Sequence, residues 1–330
     1  MNIAFFELNE EEGNAFKKEL KGNQVSFFNE LLTNENVTKA KDCEILSVFI
    51  ASKVSREVLD NLPNLKLVVT RSTGFDHIDL EECKKRKIRV CNVPTYGENS
   101  VAEHAFALLL SISRNVHKAY LRCLTDDYDI HGLKGWDLQD KTIGVLGTGH
   151  IGQHVIRMAK GFGMNVIAYD LFQNKPLQKK LGFKYAKLDE VIKKSDVITL
   201  HLPYNKGTHH IIDEKMISKM KDGVIIINTA RGGLIDTHAL LKAIENKKIG
   251  GAGLDVIECE EIIHEDKSHL PKNRMEMKKR IDEYRLLKNE NVVFTPHIAF
   301  FSQEALGRIH DTSLENIQMF LKKKLQNSVV

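Results

Sequence analysis

The chain has no pair of cysteines in a C-x-x-C arrangement. Its five cysteines stand at 43, 83, 91, 123 and 259, with no metal-ligand spacing, so no metal is expected. An odd, irregularly spaced set argues against a disulfide framework and fits a reducing, cytoplasmic setting. Long apolar runs are missing as well: nothing approaches the roughly eighteen consecutive apolar residues of a membrane helix. The opening Met1-Asn2-Ile3-Ala4-Phe5-Phe6-Glu7 has neither a basic leader nor an extended apolar stretch, so no signal peptide is read there. A strong charge of one sign is also absent. Lys and Arg number 48 against 44 Asp and Glu, a net +4. A nucleic-acid-binding domain would concentrate a far stronger basic bias on one face. The basic runs Lys84–Lys87, Lys278–Arg280 and Lys322–Lys324 read as solvated faces. No internal repeat or low-complexity segment is evident.

What is present is ordinary globular composition, 42% hydrophobic and 28% charged over 330 residues, a length suited to two domains. Short apolar runs at Ile3–Phe6, Ile45–Ile50, Leu67–Thr70 and Ile88–Cys91 alternate with charged, helix-favouring stretches. That alternation predicts βα units around a parallel sheet. Near residue 99 the texture changes. Asn99 or Ser100 is expected to cap a helix, Ser100-Val101-Ala102-Glu103 having the form of a capping box. The Ala105–Leu110 segment that follows is apolar almost all round, which predicts burial at a domain junction or a subunit interface. A second series of candidate strands runs Thr142–Leu146, Val166–Tyr169, Val197–Leu200, Val224–Asn228, Gly253–Val256 and Val292–Thr295. Such near-continuous Val/Ile/Leu runs suit strands covered on both faces, and six of them suffice for a dinucleotide-binding domain. The charged stretch from about 260 to 290 reads as a surface insertion with room for a helix.

Gly147-Thr148-Gly149-His150-Ile151-Gly152 is a G-x-G-x-x-G motif in its full context. It follows a predicted strand. It opens a helix with apolar residues Ile151, Val155, Met158 and Phe162 at helical spacing. Asp170 closes the next strand, eighteen residues after the third glycine. Gly147 permits the tight turn, Gly149 leaves room for a pyrophosphate, and Gly152 lets helix and sheet pack closely. The helix N-terminus offers N–H groups and a positive dipole end. Asp170 can accept hydrogen bonds from ribose hydroxyls and would repel a 2′-phosphate, so the motif predicts NAD rather than NADP.

Three polar residues follow later strands: Arg231 after Val224–Asn228, Glu260 after Gly253–Val256, and His297 after Val292–Thr295. Residues beyond the carboxyl ends of parallel strands gather on one edge of the sheet. Reduction of a 2-oxo acid needs these types. A guanidinium binds the carboxylate through two parallel hydrogen bonds. A histidinium donates a proton to the carbonyl oxygen. A carboxylate beside the imidazole orients it and raises its pKa.

At these residues the chain resembles the D-isomer-specific 2-hydroxyacid dehydrogenase family, and within it the D-lactate dehydrogenases. Four stretches carry the resemblance: Arg71-Ser72-Thr73-Gly74-Phe75-Asp76-His77-Ile78-Asp79, Gly147–Gly152, Asn228–Gly233 with Asp255 to Glu260, and Thr295-Pro296-His297. The resemblance implies an α/β fold of two Rossmann-like or flavodoxin-like parallel-sheet domains with a cleft between them. Residues 1–98 with 300–330 would form the substrate-binding (catalytic) domain and 99–299 the NAD-binding Rossmann domain. It implies catalytic roles for Arg231, Glu260 and His297, and cofactor contacts at Gly147, Gly149, His150, Ile151, Gly152, Asp170, Leu202, Pro203, Thr208, Thr229, Ala230, Arg231 and Asp255. Substrate would meet Ser72, Thr73, Gly74, Tyr96 and Arg231. Members are usually homodimers, with the helix after Asn99 among the buried elements. The expected partners are then a small 2-oxo or 2-hydroxy acid and a second copy of the chain.

The sequence departs from the family's pattern at Ala51, which stands where several D-lactate enzymes have an aromatic residue lining the side-chain pocket. A smaller residue there leaves room for a larger substrate, with Phe300-Phe301 still supplying apolar bulk near His297. Glu260 argues against the formate dehydrogenase branch, which has glutamine there. Alternative functions are another 2-oxo acid reductase of the family (hydroxypyruvate, glyoxylate or 2-oxoisocaproate), or an NAD-sensing corepressor-like binding protein.

Overall fold

A computed structural model describes residues 1–258 and 273–330 of the chain. It divides into two compact units, 1–96 with 302–330, and 97–301.

In the first unit five strands form one parallel sheet in the order β2-β1-β3-β4-β5. They are β1 (Asn2–Phe6), β2 (Gln24–Phe28), β3 (Ile45–Val48), β4 (Leu67–Thr70) and β5 (Arg89–Cys91). Four agree with the apolar runs in the sequence. β2 does not, because it lies at the sheet edge with residues only half buried or exposed, and so lacks an apolar run. Both faces are covered, one by a cluster around Phe6, Leu46, Val68 and Val90, the other by Phe5, Phe16, Ile45, Val69 and Ile317. Ile317 comes from the C-terminal helix Gln303–Leu321, which packs against this sheet. Asn316 on the same helix, 1% exposed, donates to the carbonyl of Asn92 at 2.9 Å.

The second unit carries seven parallel strands in the order β12-β11-β10-β9-β6-β7-β8. They are β6 (Thr142–Leu146), β7 (Asn165–Tyr169), β8 (Lys184–Tyr185), β9 (Val197–Leu200), β10 (Val224–Asn228), β11 (Ile249–Leu254) and β12 (Val292–Phe294). Chain order reverses between β6 and β9, and ligands of open α/β sheets bind at such a switch point. β8 is a two-residue edge strand that no periodicity could announce. β11 begins four residues earlier than the apolar run suggests, because the small residues Gly250–Gly253 can enter a strand where neighbours approach closely.

Two helical expectations need correction. The helix Glu98–Ser113 starts at Glu98, with Gly97 at its N-cap and no side-chain cap bond, so Asn99 and Ser100 lie inside its first turn. Asn99 donates its side-chain amide to Glu103 at 2.5 Å instead. Nor is this helix buried all round. Ala102, Ala105, Phe106, Leu108, Leu109 and Ile112 are buried, whereas Ala107 is exposed. The charged stretch does hold a helix, Arg274–Leu287, with Leu286 in the core. No helix among the described residues is long and apolar enough to cross a membrane.

Candidate active site

The glycine loop has the shape that its sequence demands. Gly147 sits at φ +98, and a Cβ there would meet the His201 carbonyl oxygen at 2.4 Å. It therefore joins the ends of β6 and β9 across the switch point. Gly152 lies against the Gly147 carbonyl, with only 2.1 Å for a Cβ. Gly149 differs from both: an added Cβ would meet nothing within 4 Å. Gly149 is also the N-cap of the helix His150–Gly161, and no side chain caps that helix. Its leading N–H groups thus face an open cradle, with His150 exposed and Ile151 half buried beside it.

Asp170, just past β7, is tied to the glycine loop. One carboxylate oxygen accepts from the Thr148 N–H (2.7 Å) and hydroxyl (2.8 Å), the other from the Phe172 N–H (2.9 Å). The second oxygen has lone-pair capacity left for a ribose hydroxyl. The hydroxyl of Tyr185 on β8 supports Thr148 at 2.9 Å. Leu202 is buried, its backbone nitrogen near Gly147, while Pro203 is exposed. Thr208 folds the loop by donating to the Pro203 carbonyl at 2.7 Å. Thr229, just past β10, has a buried hydroxyl with no partner among the described residues. An unmet hydroxyl, an uncapped helix start, an open Gly149 and an acid at Asp170 together fit a dinucleotide without a 2′-phosphate. His201 has its Nε2 on Thr199 at 2.8 Å and a buried Nδ1 with no partner among the described residues. Burial pulls its pKa down to about 3, so the ring is neutral.

The register of β10, β11 and β12 brings the remaining candidates to neighbouring strand ends. Asn228 pairs with Leu254, and Leu254 with Phe294. The turns that follow carry Arg231, Asp255 and His297. Asn228, 1% exposed, shapes the first turn: its amide donates to the Arg231 carbonyl (2.9 Å) and its oxygen accepts from the Ala230 N–H (3.0 Å). The Arg231 guanidinium, half buried, donates to the Ala230 carbonyl at 2.7 Å. Gly232 follows because a Cβ there would meet the Ile257 carbonyl oxygen at 1.8 Å. The Arg231 turn is thereby pressed against the chain that leaves β11, at Ile257 and Glu258. Glu260 lies outside the described residues.

Asp255 is the pivot of the third turn. It is wholly buried. One oxygen accepts from the Thr295 hydroxyl (2.5 Å) and the Ile298 N–H (2.9 Å), the other from the Ala299 N–H (2.8 Å). Its own carbonyl accepts from the His297 N–H at 2.9 Å. Burial alone would raise the Asp255 pKa, but the bonds from His104, Thr295, Ala299 and Ile298 outweigh it and hold the carboxyl below its ordinary value. The sequence reading groups Asp255 with the cofactor contacts. In the structure both its oxygens are committed to protein donors, and it anchors the loop that carries His297. His297 itself has φ +56, a left-handed conformation rare outside glycine. Its ring meets the edge of buried Phe300 at 6.4 Å between centroids, while Phe301 is exposed.

Ser72, Thr73, Gly74 and Tyr96 belong to the first unit. The Ser72 hydroxyl donates to the Gly74 carbonyl (2.6 Å) and that of Thr73 to the Val93 carbonyl (2.9 Å). Both hydroxyls serve the loop, so what it can offer an anion is main-chain N–H. Tyr96 is half buried, its carbonyl accepting from the Arg308 guanidinium at 2.6 Å. Arg71 beneath this loop is 3% exposed, donating to Ser47 (3.1 Å) and to the carbonyls of Phe6 (2.7 Å) and Glu7 (2.8 Å). Ala51 is exposed, but the end of β3 does not lack an aromatic. Phe49, two residues earlier, places its ring 5.9 Å from the Arg71 guanidinium. The sequence reading names Ala51 at this turn and not Phe49. It also passed over Asn228 and His104, which no local pattern distinguishes from other polar residues.

Comparison with known proteins gives a consistent result. Residues 106–299 match the model of the D-isomer specific 2-hydroxyacid dehydrogenase NAD binding domain. The chain is 40% identical to a 2-hydroxyacid dehydrogenase homolog of Haemophilus influenzae, over 93% of this chain and 91% of that one. It is 38% identical to the D-lactate dehydrogenase of Escherichia coli, over 90% and 89%. The crystal structure of D-lactate dehydrogenase from Aquifex aeolicus, complexed with NAD and lactic acid, superposes with a TM-score of 0.90 at 37% identity, covering 100% of this chain and 99% of that one. The chain therefore belongs to the D-isomer-specific 2-hydroxyacid dehydrogenase family and is an NAD-dependent oxidoreductase.

Proposed function

We propose that the chain interconverts pyruvate and D-lactate, with His297 as the proton donor and acceptor, Arg231 as the carboxylate clamp and Glu260 as the partner of the imidazole. The unit 97–301 holds NAD in this reading, and Ser72–Gly74 and Tyr96 are the further substrate contacts. The observation that carries it is the alignment of three adjacent strand ends, which delivers Arg231 and His297 to the same sheet edge as the open Gly149 cradle. The E. coli and A. aeolicus relatives named for D-lactate support pyruvate as the substrate.

Bound NADH supplies the hydride. Arg231 holds the substrate carboxylate, and its planar fork fixes the carbonyl's orientation. As charge grows on the carbonyl oxygen, His297 gives it a proton, and in the oxidative direction takes one back. Glu260, assigned from the sequence, is the carboxylate that orients the imidazole. Phe300 presents apolar bulk beside the ring, and Phe49 is the candidate to limit the substrate side chain in the first unit.

The test is a stereospecific assay of NADH oxidation over a panel of 2-oxo acids. Pyruvate should be the best substrate and the product the D-isomer. His297→Gln should lower kcat by about 10²–10⁴-fold, and Arg231→Ala should mainly raise KM. An L-product, or near wild-type turnover in both variants, ends this reading.

Homodimerisation is part of the same proposal. Val116, Tyr120, Leu121, Leu124, Tyr128 and Ile130 are all more than half exposed, between 55% and 79%. Six large apolar side chains within fifteen residues suit contact with a second copy rather than water. Light scattering on the purified chain should give a dimer mass, and a monomer at micromolar concentration would refute it.

A further inference from the structure

His104 stands on the helix Glu98–Ser113, 191 residues before Thr295 in sequence, and has no part in the roles assigned above. Its Nε2 lies 2.8 Å from the Thr295 hydroxyl and 3.4 Å from the nearer oxygen of Asp255. Chemistry fixes the direction of these bonds. Asp255 is ionised and can only accept, so the 2.5 Å contact with Thr295 uses the threonine's proton. The Thr295 oxygen can then only accept from His104. The imidazole must carry its proton on Nε2, and the chain reads His104 Nε2–H to Thr295 O–H to Asp255.

That chain converges on the loop that bears His297. Asp255 accepts from the N–H groups of Ile298 and Ala299, and its carbonyl from that of His297. His297 is held at φ +56, a left-handed conformation that strains a residue with a Cβ. Such a conformation persists only where its surroundings over-determine it. The helix Glu98–Ser113 is anchored by buried Ala102, Ala105, Leu108 and Leu109 in the core, so the donor on it is a fixed point.

We infer that His104 is a positioning residue for His297: its Nε2–H, acting through Thr295 and Asp255, sets the loop that aims the reacting imidazole. The role rests on the reading of His297 as the proton donor. Removing a supporting partner of this kind typically lowers activity by about 10–100-fold.

His104→Leu removes the donor and keeps bulk. It should cut kcat 10–100-fold while the dissociation constant for NADH, read by fluorescence titration, changes less than threefold. His104→Gln places an N–H where Nε2 was and should recover kcat to within about fivefold of wild type. Thr295→Val should match His104→Leu, and the double variant should be no worse than either, because the two act as one chain. If His104→Leu does not fold, Gln rescue and Thr295→Val still decide. Additive losses, no rescue by Gln, or wild-type kcat in Thr295→Val would each overturn the inference. His297→Gln, assayed alongside, separates the two levels. If it retains activity, the reading of His297 has failed. If it is inactive while Thr295→Val is normal, only the role of His104 has.

Discussion

Each sheet buries one charged residue just beyond its strand ends, and the two have opposite sign. In the first unit Arg71 gathers acceptors: the carbonyls of Phe6 at the end of β1 and of Glu7 just past it, and the Ser47 hydroxyl on β3. In the second, Asp255 gathers donors: the Thr295 hydroxyl and the N–H groups of Ile298 and Ala299. A cation ties together chain that ends in carbonyls, whereas an anion ties together a loop that turns its N–H groups inward. Burial costs both. It draws the Arg71 pKa down to about 10, which leaves the guanidinium charged at neutral pH, while Asp255's hydrogen bonds more than offset the burial. Arg71 steadies the strand ends beneath Ser72–Gly74. Asp255 steadies the loop that carries His297. The contrast is between holding strand ends together and setting the loop that bears one side chain.

The comparison breaks most severely at Asp255. Asp255→Ala strands several buried donors, and loss of about 3–5 kcal/mol of stability is expected, as when one partner of a buried charged network is removed. Urea unfolding at neutral pH should show it. The sign of its pH dependence follows from the lowered pKa. The contribution of the ionised group is complete above its unfolded pKa of about 4 and is lost as pH falls through the folded value. Wild type and variant should therefore converge in stability in acid. A gap that stays constant to acid pH would show that Asp255 contributes by packing alone.

Arg71→Met should have a smaller effect, about 1–3 kcal/mol, because it refills the space and leaves carbonyl and hydroxyl acceptors short of one bond, which is better tolerated than a stranded buried N–H. It sharpens the contrast if NADH affinity, which belongs to the other unit, is unchanged while KM for the 2-oxo acid rises. Weakened NADH binding with an unchanged KM would put Arg71's influence on the wrong site.

Much of this was legible in the chain itself, and what was not has a common cause. The glycine loop is local: turn, cradle and packing constraint occupy six consecutive residues, and the acid follows one βα unit later. β4, β6, β9 and β10 appear residue for residue because each is a buried apolar run. β2 and β8, at sheet edges, have no such run. The capping of the helix Glu98–Ser113 was misplaced because glycine can serve at an N-cap without offering a side chain to recognise. Asp255 was visible as a polar residue after a strand, but its task depends on Thr295 and His104, forty and about 150 residues away. Nothing in spacing encodes a partner at that distance. The same holds for Asn228, whose function is to shape the turn before Arg231.

The left-handed backbone at His297 also bears on how a substrate complex could be captured. Asparagine adopts that conformation readily, and the main-chain bonds that fix the loop do not involve the imidazole. His297→Asn would keep the loop's shape while removing the group that transfers protons. It is thus the natural inert form in which to soak a 2-oxo acid with reduced nucleotide and photograph the reactants before they react.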